Sequence, residues 1–182
     1  MRLLGMFFTI CCLYFLGCLQ TAQPLFHQDD LVFEDGLLGI WQDGDELWVF
    51  ERVNQEKDTR PKNAYWLTIT EKDSVVTRLN AHFGYVGDVS FLDVFDAEPK
   101  DLNLPLHLVY RAYLLDKQLI LALPFDSDWF DKLPKQQKAV LRIEEVGDRE
   151  VVLASTDVLQ RFLKDHYRDG VSGETNVFTR LE

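Results

Sequence analysis

The stretch Ser74-Val75-Val76-Thr77-Arg78-Leu79-Asn80-Ala81-His82-Phe83 decides the fold class, because its side chains alternate with a period of two. A period of two is typical of a β-strand, whose successive side chains point to opposite faces of a sheet. Its more apolar face carries Val75, Thr77, Leu79, Ala81 and Phe83, and the other face carries Val76, Arg78, Asn80 and His82.

The sequence on both sides of this stretch continues the β pattern. Runs rich in aromatic and β-branched residues, the composition of strands, are separated by polar loops at 54–63 and 96–105. Asp116-Lys117 separates two of these runs and predicts a tight hairpin. We expect strands at 46–53, 64–70, 74–83, 89–95, 106–115, 118–125, 140–146, 150–153 and 176–181.

One helix is predicted near the end of the chain. Ser155 or Thr156 can cap it, and Val158, Leu159, Phe162 and Leu163 recur at helical spacing, with Gly170 placed to terminate it. Sequential strands pair with their neighbours, and closure removes exposed edges. The sequence therefore predicts a mainly β fold, an antiparallel meander that closes into a barrel, with one C-terminal helix and a final strand. A strongly bent sheet under the helix is the alternative.

Composition bounds the functions that remain open. The chain has 182 residues, 47% of them hydrophobic, and a formal net charge of -11. One domain with a substantial core is expected from these values. A surface this acidic repels phosphate, so we expect no nucleic-acid partner and no electrostatic binding to anionic lipids.

Residues 1–17 have the layout of a signal peptide, with Arg2 before an apolar run from Leu3 to Leu16. The run is short for a membrane-spanning helix, which needs roughly twenty residues. All three cysteines, Cys11, Cys12 and Cys18, lie in or just after this leader, so the remaining chain can form no internal disulfide and no cysteine metal site.

The end of the leader resembles the lipobox of bacterial lipoproteins, here Phe15-Leu16-Gly17-Cys18. The resemblance implies that Cys18 is acylated, becomes the mature N-terminus and anchors the protein to a membrane. Leu19 stands where an Asp would retain a lipoprotein at the inner membrane. In a Gram-negative source the implied location is therefore the outer membrane, facing the periplasm. Plain secretion and an uncleaved membrane anchor are the alternatives.

Residues 18–36 are polar and aperiodic, so we expect a tether that precedes a single barrel domain at 37–182. Phe26 and Leu31 could dock part of this tether on the domain.

The layout of strands, one C-terminal helix and a final strand resembles that of lipocalins and related calycins. Gly39-Ile40-Trp41 matches the Gly-x-Trp that opens the barrel in that family. The resemblance implies that Trp41 packs under Arg180 as a cation–π plug with a structural role. The family's middle Thr-Asp-Tyr motif is absent, and Phe91-Leu92-Asp93-Val94-Phe95 is the nearest segment.

His82, Asp93 and His107 all fall within predicted strands and could form a polar cluster in the barrel lumen. Such a cluster could transfer protons or bind a metal, whereas outward-facing histidines would exclude a lumen site. No nucleophile motif, phosphate loop or His-Glu-x-x-His is present, so we assign no catalytic residue, metal or cofactor.

Three functions remain open at this point. The first is an envelope lipoprotein that binds a small apolar ligand in the barrel. The second is a structural or interaction lipoprotein with a filled barrel and no ligand, whose protein partners the sequence does not name. The third is an enzyme that uses His82, Asp93 or His107.

Overall fold

Eleven strands and three α-helices are present in residues 19–53, 60–72, 74–96, 105–125, 127–146, 149–168 and 175–181, the part of the chain that this computed structural model describes. The strands are β1 Leu19–Thr21, β2 Gly39–Asp43, β3 Glu46–Arg52, β4 Ala64–Glu71, β5 Ser74–Val86, β6 Val89–Asp96, β7 His107–Leu115, β8 Gln118–Ala122, β9 Ile143–Val146, β10 Arg149–Val152 and β11 Thr175–Leu181. The helices are α1 Ser127–Lys132, α2 Lys135–Ala139 and α3 Thr156–His166.

Eight of the strands close into an antiparallel barrel in the order β2-β3-β4-β5-β6-β7-β8-β11. Each neighbouring pair is antiparallel, and β11 closes the ring by pairing with both β8 and β2. The predicted fold class is therefore confirmed: a mainly β chain, a closed meander, one C-terminal helix and a final strand. The barrel is compatible with a lipocalin-like fold.

Strand alternation separates the interior of the barrel from its outer wall. All eight barrel strands contribute to one buried cluster, which includes Trp41, Trp48, Leu67, Leu92 and Phe178. Because successive side chains alternate between faces, the residues on either side of these positions point outwards.

An outer layer covers the wall formed by β5, β6 and the first half of β7. It forms a second apolar cluster, to which the N-terminal segment, residues 19–37, contributes Leu25, Phe26 and Leu31. Helix α3 contributes Leu159, Phe162 and Leu163, and Phe91 and Val109 face the layer from the wall. The layer explains why apolar residues such as Phe91 and Val109 can point out of the barrel and still be buried.

The N-terminal segment is held on the barrel along more of its length than the partial docking at Phe26 and Leu31 that we expected of the tether. Its first residues form β1, which pairs antiparallel with β7 and parallel with β10, and Leu25, Phe26 and Leu31 are buried. Hydrophobic burial and strand pairing hold the segment on the barrel, a tertiary effect that its polar, aperiodic sequence does not reveal.

Some expected local features differ or lie outside the described residues. The predicted strand at 140–146 starts only at Ile143, after the short helix α2. Ser155 caps α3 by position without a side-chain hydrogen bond. The leader, Cys18 and Gly170 lie outside the described residues. Within the described part of the chain, no helix combines the length and the hydropathy needed to cross a membrane.

Candidate functional site

His82, Asp93 and His107 lie next to one another on β5, β6 and β7. His82 pairs directly with Asp93, and Phe95 pairs directly with His107. Their expected position in the lumen is corrected by strand alternation: Ala81, Phe83, Leu92 and Val94 occupy the interior, so the three polar side chains point outwards. They lie on the outer wall, beneath the outer layer.

Asp93 and His107 form a buried, hydrogen-bonded pair. The Nδ1 atom of His107 lies 2.8 Å from Oδ1 and 3.1 Å from Oδ2 of Asp93. Asp93 is 0% exposed and His107 is 5% exposed. A carboxylate only accepts hydrogen bonds, so the pairing assigns the proton to Nδ1 of the imidazole.

The backbone of the N-terminal segment completes the shell of Asp93. The N–H of Leu25 donates to Oδ2 of Asp93 at 2.9 Å, within the buried region. One carboxylate therefore ties together three elements: β6, β7 and the N-terminal segment.

His82 is the least satisfied member of the cluster. It is 9% exposed, and its Nδ1 is buried without a hydrogen-bond partner among the described residues, as is Oδ1 of Asn80 on the same face. Burial lowers the pKa of His82 below its ordinary value, Asp93 opposes that shift, and His107 adds to it. The structure therefore favours a neutral His82.

Phe95 lies between the two imidazoles. Its ring centroid is 4.9 Å from that of His82, in an edge-on arrangement, and 4.4 Å from that of His107. An aromatic ring between the histidines separates them by packing and offers no polar atom to a ligand.

The structure gives this cluster little support for metal binding or acid–base catalysis. Among the described residues, no group of three or more His, Cys, Asp or Glu side chains is arranged to hold a metal ion. A His–Asp pair can orient a general base, but a base must reach a substrate. Here the imidazole of His107, which would be the base, is only 5% exposed, and the backbone of Leu25 donates to its carboxylate partner. The arrangement fastens the N-terminal segment to the barrel wall.

Further contacts hold the same segment in place. A bridge joins Leu31 to Gly84, and the N–H of Val32 donates to the carbonyl of Phe83 at 2.9 Å. A Cβ at Gly84 would lie 2.8 Å from the Phe26 ring, so glycine permits this close approach.

Helix α3 holds the segment from the other side. The hydroxyl of Thr156 donates to the carbonyl of Pro24 at 2.7 Å, and the amide of Gln160 donates to the carbonyl of Leu25 at 2.9 Å. On the surface, His27 lies 2.9 Å from Asp157, and this hydrogen bond raises the pKa of His27.

The structure brings Trp41 and Arg180 together at one end of the barrel. They are direct partners in the β2–β11 pairing, and the guanidinium carbon lies 5.5 Å from the centroid of the Trp41 ring. Nη2 of Arg180 donates to the carbonyl of Leu38 at 2.7 Å, and the Trp41 indole donates to the carbonyl of Leu37 at 2.8 Å. This geometry permits the cation–π contact.

Trp48 lies inside the barrel and its ring contacts rings from other strands. Its ring centroid lies 6.4 Å from that of Tyr110 and 5.0 Å from that of Phe178. Since β3 and β7 are four strands apart in the ring of eight, the Trp48–Tyr110 contact joins opposite walls of the barrel. An eight-stranded barrel is just wide enough for side chains to fill it or for one small ligand.

Sequence reasoning missed Leu25, Phe95 and Gly84 as parts of the cluster and its cover. The sequence does mark the buried carboxylate, because Asp93 is the only charged residue within Phe91-Leu92-Asp93-Val94-Phe95. No local pattern marks Leu25, because its contribution is a backbone N–H supplied from 68 residues away.

Comparison with known proteins adds no family to this description. No protein-family model, no curated protein and no solved structure matches the chain.

Proposed function

We propose that the protein is an exported, membrane-anchored interaction module with a filled barrel, which works through its outer surface. The observation that carries this proposal is the contact of Trp48 with Tyr110 across the lumen. Side chains from opposite walls already contact one another in the space that an apolar ligand would have to occupy. The contacts therefore favour the filled barrel over the ligand-binding barrel.

Export and anchoring rest on the leader and on Cys18, which resemble those of bacterial lipoproteins. In this proposal the acylated Cys18 holds the barrel at the cell envelope, at the outer membrane of a Gram-negative source. The N-terminal segment supports this role, because β1 and the hydrogen bond to Asp93 connect the residues next to the anchor firmly to the barrel.

Native mass spectrometry of the full chain, purified from membranes, tests both parts. We expect a mass that corresponds to an acylated Cys18 and no co-purifying small molecule. A stoichiometric apolar ligand bound to the wild-type protein would contradict the filled barrel and favour the ligand-binding hypothesis. An unmodified Cys18 would contradict the anchor.

A variant of Trp48 tests the filled lumen directly. Trp48→Ala removes the side chain that spans the barrel, and the cavity left behind should bind an apolar fluorescent probe. The wild-type protein should bind this probe much more weakly. Trp66→Ala is the matched control, because Trp66 lies on the outer wall, where Arg60 and Arg78 stack on it. Equal probe binding by wild type and Trp48→Ala would contradict a filled lumen.

A further inference from the structure

Among the described residues, one half of the outer wall exposes no charged side chain, since the outward-pointing Arg111 in the middle of β7 is only 2% exposed. This half is formed by β2, β8, β11 and the second half of β7, outside the outer layer. We call it the neutral face. About three of ten surface positions are ordinarily charged. The ten exposed or half-buried outward residues of the neutral face are Ile40, Gln42, Tyr113, Leu115, Gln118, Ile120, Thr175, Val177, Thr179 and Leu181.

The apolar members of the neutral face are neighbours in the sheet. Val177 pairs with Ile120, which pairs with Tyr113, so three strands present one apolar row. A second row joins Leu181 to Ile40. Leu115 is 56% exposed and Val177 is 40% exposed. Contiguous exposed apolar rows of this kind mark interaction surfaces rather than ordinary solvated strands.

The chain enters the barrel at the border of the neutral face. Both β1 and β8 lie on the side of β7 opposite β6, so they are placed end to end along β7. Cys18 directly precedes Leu19, the first residue of β1, and no linker separates them. The end of β8 at Ala122 is two residues, about 7 Å, from Ile120 in the apolar row.

We propose that the neutral face lies on the surface of the lipid bilayer that holds the anchor. This rests on the proposed function, since it takes the membrane attachment at Cys18 as given. Exposed charged side chains would have to be desolvated at a bilayer, and this face exposes none. The chain as a whole carries a net charge of -11, which repels anionic headgroups, so a neutral face is the side that can approach lipid.

The short connection strengthens the interaction of this face with lipid. Because β1 begins one residue after Cys18, the anchor keeps the neighbouring surface close to the bilayer at a high effective concentration. An apolar face adds buried area to an acyl anchor, and two such signals together give stable membrane attachment.

Photocrosslinking tests this arrangement in the full chain, purified from membranes and reconstituted in neutral phosphatidylcholine vesicles. Benzoylphenylalanine replaces Val177 or Tyr113 on the neutral face, one position at a time. The matched controls are Val75, which is 69% exposed, and Tyr85, which is 49% exposed, both on β5. After irradiation, the phosphatidylcholine adducts are counted by mass spectrometry.

We expect several-fold more lipid adduct at Val177 than at Val75, and at Tyr113 than at Tyr85. Val177→Glu should lower the adduct yield from a probe at Leu115, whereas Val75→Glu should not change it. Circular dichroism of each variant keeps loss of folding separate from loss of lipid contact.

Three results would overturn the proposal. Equal lipid yields at face and control positions, in a chain that sediments with the vesicles, would exclude the neutral face while the anchor stands. Crosslinks from Val177 to a second copy of the chain would assign the face to self-association. A chain that is neither acylated nor sedimented with vesicles would remove the anchor and the bilayer contact together.

Discussion

Removal of the Asp93 carboxylate should release the N-terminal segment from the barrel wall. In Asp93→Ala, the N–H of Leu25 and the Nδ1–H of His107 both lose their buried acceptor. Each buried donor left without a partner costs about 1–3 kcal/mol, so the sum is about 2–6 kcal/mol.

That loss is large compared with the stability of an ordinary domain, about 5–15 kcal/mol. Urea unfolding followed by tryptophan fluorescence measures the change in the free energy of unfolding. Asp43→Ala, on an exposed position of β2, is the control and should change stability by about 0.5 kcal/mol or less.

Hydrogen exchange shows where the stability is lost. The amides of residues 22–32 should exchange faster in Asp93→Ala, because the segment loses its link to β6. Addition of His107→Phe to the variant removes one unsatisfied donor and should recover part of the lost stability. A loss below about 1 kcal/mol, or unchanged exchange of the N-terminal segment, would refute the role given to Asp93.

Three further predictions concern His82, Gly84 and Arg180. Burial lowers the pKa of His82 in the folded protein, so the imidazole takes up its proton at a higher pH in the unfolded chain than in the folded one. The free energy of unfolding should therefore fall as the pH drops below about 6.5, by at most about 1.4 kcal/mol per pH unit. His82→Phe should flatten this dependence in urea unfolding between pH 5 and 7.5, and an unchanged slope would argue against a neutral buried His82. Gly84→Ala places a methyl group 2.8 Å from the Phe26 ring and should lower the free energy of unfolding by about 1–3 kcal/mol. The backbone amides of residues 25–32 should then exchange hydrogen faster, and exchange at the wild-type rate would contradict the close approach. Arg180→Ala should lower the stability by about 1–3 kcal/mol in thermal unfolding. Arg180→Lys should recover part of this loss, because lysine keeps the charge over Trp41 but lacks the planar donors that reach Leu38. An unchanged Tm of Arg180→Ala would contradict a structural role of Arg180.

The two faces of β5 show how far local pattern reaches. The alternation from Ser74 to Phe83 placed Ala81 and Phe83 on one face and His82 on the other, and the structure has this alternation from Thr77 onwards. Before Thr77 the register with β4 shifts, and Val75 is 69% exposed. The possible lumen cluster of His82, Asp93 and His107 lies instead on the outer wall. Asp93 has apolar neighbours on both faces of β6, because this strand is buried on both sides, so its local pattern does not mark the outside.

The N-terminal segment shows the opposite limit. Gln20-Thr21-Ala22-Gln23-Pro24 has no period, and composition alone predicts a tether. Its fastening depends on backbone groups and on partners 68 and more residues away, such as Asp93, Thr156 and Gln160. No local propensity encodes such contacts.

The sequence by itself determined the β class, the order of the meander, the C-terminal helix and the final strand, which follow from periodicity and strand order. The contact of Trp41 with Arg180 was implied by the resemblance to lipocalins and not by these patterns. Only the tertiary structure decided that the lumen is crossed by Trp48, that the histidines lie under an outer layer, and that a neutral face lies beside β1. Those features depend on which walls meet and which segments cover them, and burial between distant segments is set by the closed barrel as a whole.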